Sequence, residues 1–465
     1  MGGSGRREVT RRSGPWPIAA AGVLVAATLA FAGCGGDEAS EEPAAVPQPS
    51  RAEFAAAGMR DLPVAPEDQR VDLTAPPFSD PTQVTNPLFP ISDLRSAVLA
   101  GRIDGKPFHT ETTLLPYTRT IEWAPGRSVE TLVSQYTAFL DGRIQEVALD
   151  YYAQADDGSV WYFGEDVNDY NPRGLVAFQT DSWLAGPDGL PAMIMPGDPK
   201  VGDAFRTENI PGLVFEEVTV KTIDKTVAGP TGRVANAMVG EELRDDAQTS
   251  DKVFAPGYGE FLTRDSDGVE AMALAVPTDV ADGPTPKSLQ GISKSADGAF
   301  HAAMSKEWRK ASAAGRSMNS AWRSYVSTGE APPRLEPPMD QALASLDRAL
   351  RARDRLGAGT AAIDVAQAAL DLELRYRPVV AVDRERFALW AREVVVDADA
   401  GDLGGVRGDL ATMELVRDRF ASGLDGVDRA RINASLLALR DSVENKNLHG
   451  AASQAAALHS FMERI

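Results

Sequence analysis

Two Asp-Gly dipeptides, Asp141-Gly142 and Asp157-Gly158, separate three consecutive strand-like segments in the middle of this 465-residue chain. The segments read ETLVSQYTAFL, RIQEVALDYYAQ and SVWYFGED, and they are rich in the aromatic and β-branched residues that strands favour. Asp-Gly is a preferred pair for two-residue type I′ hairpin turns, in which both central residues have positive φ. The pattern therefore predicts a meander of at least three antiparallel strands.

Further strand-length runs extend this region in both directions and are separated by turn residues. They lie at 95–103, 107–123, 174–180, 203–209, 214–226, 232–243 and 251–274. We therefore predict an antiparallel β domain over residues 81–283, folded as a sandwich, a curled sheet or a barrel.

The second predicted hairpin carries aromatic residues on both faces of its strands. One face should be core, and the other is either a second buried layer or a groove for an apolar or aromatic ligand. A two-residue loop at Asp157-Gly158 predicts the cross-strand pairs Tyr152 with Phe163, Gln154 with Trp161, and Ala153 with Tyr162. The candidate ligand-binding side chains are Tyr152, Trp161, Tyr162 and Phe163.

After residue 283 the apolar residues recur every three or four positions, which is typical of helices. One apolar stripe runs from Ile292 to Tyr325 and ends before a proline-rich segment. Later turns are predicted at Gly359-Thr360, Gly401-Asp402 and Lys446-Asn447, where Thr, Asp or Asn can cap a helix. Residues 284–465 are thus predicted to form an all-α domain, either a bundle or an array of helical hairpins, which gives the chain a multidomain α+β fold.

The chain opens with a basic stretch followed by an uncharged apolar run, Pro17–Gly33. This is the pattern of a secretory signal peptide, and an uncleaved membrane anchor is the alternative because the run is close to the minimum length that spans a bilayer. In both cases the residues from Cys34 onward are expected outside the cytoplasm. The basic residues are Arg6, Arg7, Arg11 and Arg12.

The four residues Phe31-Ala32-Gly33-Cys34 resemble the lipobox of bacterial lipoprotein signal peptides. The resemblance implies that residues 1–33 are removed and that Cys34 becomes lipidated and N-terminal. Residues 34–80, rich in Pro, Ala and acidic residues, are predicted to form an extended tether. Because Cys34 is the only cysteine, the chain can form no internal disulfide.

The middle of the chain also resembles a group of uncharacterised secreted bacterial proteins. The resemblance covers about residues 84–275 and implies a single β domain, but it carries no established activity. The stretches that carry it are Asn86–Pro90, YYAQADDGSVWYFGED from Tyr151, MPGDPKVGDAF from Met195 and KVFAPGYGEFL from Lys252.

The charge and the motif content restrict the possible functions. The formal net charge of −20 disfavours binding to nucleic acid. The sequence contains no phosphate-binding loop, dinucleotide fingerprint, nucleophile elbow or His-Glu-x-x-His motif. The histidines, which lack metal-ligand spacing, are His109, His301, His449 and His459. We therefore predict no enzyme activity, no catalytic residue, no metal and no cofactor.

The sequence as a whole predicts a lipid-anchored extracytoplasmic protein that binds a small ligand or another envelope protein. Its specified partner is the lipid bilayer, which it would contact through lipidated Cys34. An interaction scaffold that works through the helical domain is the alternative. A hydrolase that uses carboxylates such as Glu165 is the least favoured hypothesis.

Overall fold

A computed structural model describes residues 44–179, 181–264 and 268–465. In this part of the chain a large antiparallel sheet is followed by a helical region, which confirms the predicted fold class. The described residues belong to one compact unit. The predicted signal peptide, Cys34 and the first residues of the predicted tether lie outside the described residues.

The elements are numbered in chain order. The strands are β1 (Ala44–Ala45), β2 (Thr74–Ala75), β3 (Ser96–Ile103), β4 (Lys106–Ala124), β5 (Arg127–Leu140), β6 (Arg143–Gln154), β7 (Val160–Tyr170), β8 (Val176–Phe178), β9 (Trp183–Leu184), β10 (Ala192–Met195), β11 (Ala204–Ile210), β12 (Val214–Ala228), β13 (Arg233–Arg244), β14 (Thr249–Ala255), β15 (Gly259–Arg264) and β16 (Gly268–Val276). The α-helices are α1 (Arg51–Ala56), α2 (Lys287–Met304), α3 (Trp308–Val326), α4 (Glu336–Ala352), α5 (Arg355–Glu373), α6 (Val379–Ala400), α7 (Leu403–Phe420), α8 (Gly426–Glu444) and α9 (Leu448–Met462).

Fourteen of the described strands form a single antiparallel sheet. Its main order is β10, β7, β6, β5, β4, β3, β16, β15, β14, β13, β12, β11, and the short strands β8 and β9 both pair with β7. The end strands β10 and β11 are consecutive in the chain and contact each other, yet the sheet is not closed. Of the three predicted architectures, the structure therefore adopts the curled sheet.

The first Asp-Gly turn forms as predicted. Asp141 and Gly142 have φ values of 52° and 80°, and Leu140 pairs with Arg143 across the turn. Two consecutive positive φ values are the signature of a type I′ turn, so this dipeptide fixes the pairing next to the turn, before a register shift between Ala138 and Phe139.

The prediction for the second Asp-Gly pair is wrong by one residue of register. The loop is longer than two residues, because Ala155 N donates to Ser159 O and Asp157 Oδ1 accepts from Ser159 N at 2.9 Å. As a result Tyr152 pairs with Tyr162 instead of Phe163. The predicted pairs Gln154 with Trp161 and Ala153 with Tyr162 are replaced by Gln154 with Val160 and Ala153 with Trp161.

Residues 44–80, which the sequence assigns to a tether, contain short elements that contact the sheet. Arg70 Nε and Nη2 donate to the two carboxylate oxygens of Asp72, each at 2.6 Å. Glu217 Oε2, on β12, lies 3.9 Å from Arg70 Nη1 and 3.0 Å from Arg206 Nε. This buried ionic network joins the segment to β11 and β12.

Two of the three predicted helix turns are confirmed. Asp402 and Asn447 cap α7 and α9 by accepting from the backbone N–H groups of Gly405 and Gly450. Such caps satisfy amide groups that have no partner within the helix. The predicted apolar stripe between residues 292 and 325 forms two helices, α2 and α3, whose apolar faces are buried.

The predicted turn at Gly359-Thr360 is wrong, because both residues lie inside α5. The turn falls instead at Arg353-Asp354, where Arg353 has φ 55° and Asp354 accepts from Gly357 N. A Cβ atom on Gly359 would lie 3.2 Å from Met304 Sδ. The absence of a side chain at this position therefore allows α5 and α2 to pack closely. None of the helices in the described part of the chain combines the length and hydropathy needed to cross a membrane.

A buried ionic network joins helices α6 and α7 to strands β4 and β5; we call it the seam. Arg419 Nε donates to Gln135 Oε1 at 2.6 Å, and Arg419 Nη1 pairs with Glu111. Arg386 Nη2 lies 2.6 Å from Asp371 Oδ1. Burial would raise the pKa of Glu111, but the charges of Arg386 and Arg419 hold it well below its usual range. The seam therefore stays ionised and fixes the helices against one face of the sheet.

Replacing Arg419 by methionine is expected to lower the free energy of unfolding by about 3 to 5 kcal/mol, because buried carboxylates lose a compensating charge. Urea unfolding followed by circular dichroism measures the change. The control is Arg351→Met, which removes an exposed ion pair with Asp347 and should cost about 1 kcal/mol or less. Equal losses in the two variants would contradict a stabilising role of the seam.

Candidate functional site

The curled sheet encloses a cavity of about 550 Å³, which we call the acidic cavity. Its walls are strands β3 to β7 and β12 to β16, and Phe89, Pro90, Ile91 and Leu94 also line it. Side chains at alternate positions of each strand face it, as the two-residue period of a strand requires. The volume is in the range of small-molecule sites, about 300 to 1,000 Å³.

The acidic cavity contains far more carboxylates than cationic side chains. Seven carboxylates line it, against two cationic side chains. The carboxylates are those of Glu146, Asp150, Glu165, Glu216, Glu242, Glu260 and Glu270, and the cationic side chains are those of Arg244 and Lys252.

Burial and mutual repulsion raise the pKa of several of these carboxyl groups into the neutral range. Burial, reinforced by neighbouring negative charges, raises the pKa of Glu146, Asp150 and Glu270 to about 7 in each case. Tyr162 Oη donates to Asp150 Oδ1 at 2.8 Å and partly offsets this effect. Burial and the charges of Asp150 and Glu208 also raise the pKa of Glu165. The cavity can therefore exchange protons for another cation at neutral pH.

Lys252 shows how the acidic cavity holds an ammonium group. Its Nζ lies 2.6 Å from Glu242 Oε1 and 3.9 Å from Glu216 Oε2. Burial alone would lower the pKa of Lys252, but the negative charges of Glu242, Glu260 and Glu216 outweigh burial and raise it well above its usual value. The walls thus stabilise a positive charge strongly.

The four predicted ligand-binding residues are divided between the two faces of the sheet. Tyr152 lines the acidic cavity, and Tyr162 stacks on it with ring centroids 4.8 Å apart. Trp161 and Phe163 are fully buried on the other face, where both rings contact Phe78. The structure therefore places a packed layer on one side of the hairpin and a cavity on the other.

Sequence reasoning did not identify most of the acidic residues of the cavity. It considered Glu165 as a possible catalytic acid, but not Glu146, Glu242, Glu270 or the lysine at 252. Charged residues at alternate positions of an antiparallel strand usually mark its solvent face. A signal was present in β6, where Glu146, Ala148, Asp150 and Tyr152 alternate, but it matches the pattern of an ordinary exposed face.

The stretches that carry the resemblance to secreted proteins are joined by hydrogen bonds, and three of the four contribute residues to the acidic cavity. Asn86 Nδ2 donates to Gly158 O and to Pro196 O, each at 2.9 Å. Gly257 N donates to Pro87 O at 2.9 Å. These bonds join four distant parts of the sequence.

The segment that contributes Phe89 to the cavity is also held by the second hairpin. Gln154 Oε1 accepts from Thr85 N and from Asn86 N, each at 2.8 Å. Phe89 packs edge-on against Tyr152 with ring centroids 5.0 Å apart. The end of the cavity near Phe89 is therefore apolar and firmly attached to the sheet.

One other cluster resembles a metal site. Among the described residues, His109, Glu111 and Asp371 offer ligand atoms within 4.8 Å of one another. Arg386 pairs with both Glu111 and Asp371, and Arg419 pairs with Glu111. Because guanidinium groups already neutralise these carboxylates, the cluster is part of the seam.

A search with protein-family models and a search of curated protein sequences found no match to this chain. The resemblances to lipoproteins and to secreted proteins therefore stay predictions. The ligand must be inferred from the chemistry of the acidic cavity.

Replacing Asp150 by asparagine is expected to stabilise the protein at pH 8 and to leave it nearly unchanged at pH 4. The pKa of Asp150 is about 7 in the folded protein and about 4 in an unfolded chain. Its carboxyl group therefore destabilises the fold progressively as the pH rises from about 4 to about 7. The free energy of unfolding at pH 8 should rise by about 1 kcal/mol or more. Asparagine can still accept the Tyr162 hydrogen bond, so that contact is kept.

Urea unfolding between pH 4 and pH 8 tests this expectation. The control is Asp245→Asn in the exposed turn after β13, which should show no gain that grows with pH. A gain from Asp150→Asn that is the same at every pH would mean that this carboxyl group titrates normally.

Proposed function

We propose that this protein is a lipid-anchored extracytoplasmic binding protein whose acidic cavity holds a small cationic ligand. The observation that carries the proposal is the charge imbalance of the cavity, in which seven carboxylates line the same space as two cationic side chains. A cationic ligand would replace the protons that these groups hold near pH 7. Its binding should therefore strengthen as the pH rises through 7.

The wider charge distribution supports the same ligand class. The formal net charge is −20, so the long-range field attracts cations and repels anions, and added salt weakens this attraction. Tyr152, which the sequence marks as a candidate ligand-binding residue, lines the acidic cavity. The scaffold alternative has less support, because the apolar stripes of α2, α3 and α7 are buried in helical cores.

The proposed anchor is Cys34, on the strength of its lipobox-like context. Lipid attachment with two acyl chains is sufficient for stable membrane binding, at about 0.8 kcal/mol per buried CH₂ group. The part of the chain that carries the acidic cavity would then be tethered to the outer surface of a membrane. We propose that it captures its ligand there.

Replacing Cys34 by serine should abolish the incorporation of labelled palmitate in a bacterial host that processes lipoproteins, because serine cannot form the thioether bond to the lipid. Immunoprecipitation after labelling measures the attached lipid, and an uncleaved apolar run at Pro17–Gly33 does not affect this readout. The control is Ser40→Ala in the same acidic segment, which should be labelled like the parent chain. Equal labelling of Cys34→Ser and the parent chain, or no labelling of the parent chain, would rule out lipid anchoring at Cys34.

The double variant Glu165→Gln/Glu270→Gln should lose cation binding, since it removes two carboxyl groups that would ionise beside a bound cation, at little cost in volume. Thermal unfolding of the full chain in detergent is measured with and without small cations, anions and neutral solutes. At a cation concentration 100 times the dissociation constant, stabilisation should reach about 2.7 kcal/mol in the parent chain.

The matched control is Glu67→Gln/Glu444→Gln, which removes two exposed carboxylates outside the cavity and should retain the response. If no cation stabilises the parent chain, or if the two double variants respond alike, the acidic cavity is not the cation site.

A further inference from the structure

The positions of the charged residues in the acidic cavity indicate which class of cation it binds. This inference rests on the proposed function. Glu146 and Asp150 lie on β6, whereas Glu270 lies on β16 and Glu216 on β12. In the strand order, β6 is separated from β16 by three strands and from β12 by seven. The negative charges therefore lie on several walls.

This spacing is unlike that of a site for a single metal ion. Calcium takes six to eight oxygen ligands at about 2.3 to 2.6 Å. Among the described residues, the carboxylates of the acidic cavity do not provide three ligand atoms within 4.8 Å of one another. A ligand with several separated positive charges matches the walls better than one compact ion.

Lys252 indicates which kind of positive charge the walls accept. Its ammonium group lies between two carboxylates, 2.6 Å from Glu242 Oε1 and 3.9 Å from Glu216 Oε2. Lys252 lies on β14 and lines the cavity. A primary amine on a flexible aliphatic chain is therefore the chemistry that this cavity already stabilises.

The surfaces between the carboxylates suit an aliphatic chain. Leu94, Leu99 and Met272 line the apolar part of the cavity, and Tyr136 and Tyr152 lie among the acidic side chains. Methylene groups can pack against such surfaces, whereas a bare ion cannot use them.

An unpartnered hydroxyl group provides an independent sign of a ligand. Ser134 lines the cavity and is 1% exposed, yet its Oγ has no hydrogen-bond partner among the described residues. Buried polar groups in native structures are nearly always paired. An N–H donor of an amine would satisfy this oxygen.

We propose that the acidic cavity binds a linear aliphatic di- or polyamine. Its ammonium groups pair with carboxylates on separate walls, such as Asp150 and Glu270. Its methylene groups pack between the tyrosine rings and the apolar end of the cavity.

Isothermal titration calorimetry of the full chain in detergent at pH 7.5 tests the proposal. The probes are spermidine, putrescine, butylamine and calcium chloride. Spermidine should bind at least about tenfold more tightly than butylamine, because each further charge-assisted hydrogen bond contributes about 1.5 kcal/mol or more. Asp150→Asn and Glu270→Gln should each weaken spermidine binding about tenfold.

Two measurements keep the result interpretable. Circular dichroism melts establish that each variant is folded, and Glu444→Gln, exposed on α8, should bind spermidine like the parent chain. Calcium binding that depends on Asp150 and Glu270, without amine binding, would overturn the polyamine proposal and leave the proposed function intact. Absence of binding by all four cations would overturn both. Spermidine binding that neither cavity variant weakens would place the amine elsewhere and overturn the polyamine proposal.

Discussion

The two-residue period of the strands governs both halves of this structure, because it sends alternate side chains of one curled sheet to opposite faces. On the face toward the helices, the ring of Phe139 stacks on that of Trp390 with centroids 5.4 Å apart, and the seam pairs its charges with arginines. On the other face the same strands place carboxylates in the acidic cavity. The sheet can bury acidic groups on one face because the opposite face is held firmly against the helices.

The two sets of buried charges are compensated in different ways. This difference distinguishes the structural seam from the proposed binding site. In the seam, Arg386 and Arg419 keep Glu111 ionised, which suits a permanent contact. In the acidic cavity, cationic side chains are few, and burial raises the pKa of groups such as Asp150 to about 7. Unfavourable burial of this kind is characteristic of binding and catalytic sites, where a ligand or a proton can compensate for it.

Much of the fold was predictable because local signals determine it. The Asp141-Gly142 turn forms as its φ preferences require, and Asp402 and Asn447 begin helices as caps do. The predictions were wrong where tertiary contacts determine the structure. Gly359, for example, does not form a turn; it lies inside α5, where the absence of a side chain leaves room for Met304. The cavity was not predictable, because an acidic residue such as Glu146 has the same strand pattern whether it faces solvent or a cavity. Only the pairing of distant strands, β3 with β16 above all, brings these carboxylates together.

If the acidic cavity exchanges protons for a cationic ligand, as we propose, the protons released on binding can be measured directly. Spermidine and, separately, calcium chloride are added to the full chain in weakly buffered detergent solution at pH 7, and the base needed to hold the pH is recorded. We expect proton release that saturates with binding, because carboxyl groups such as Glu146, with a pKa of about 7, ionise when a cation approaches. Release should be smaller in the Asp150→Asn variant. Binding without proton release, or no binding of either cation, would contradict the proposed exchange of protons for a cation.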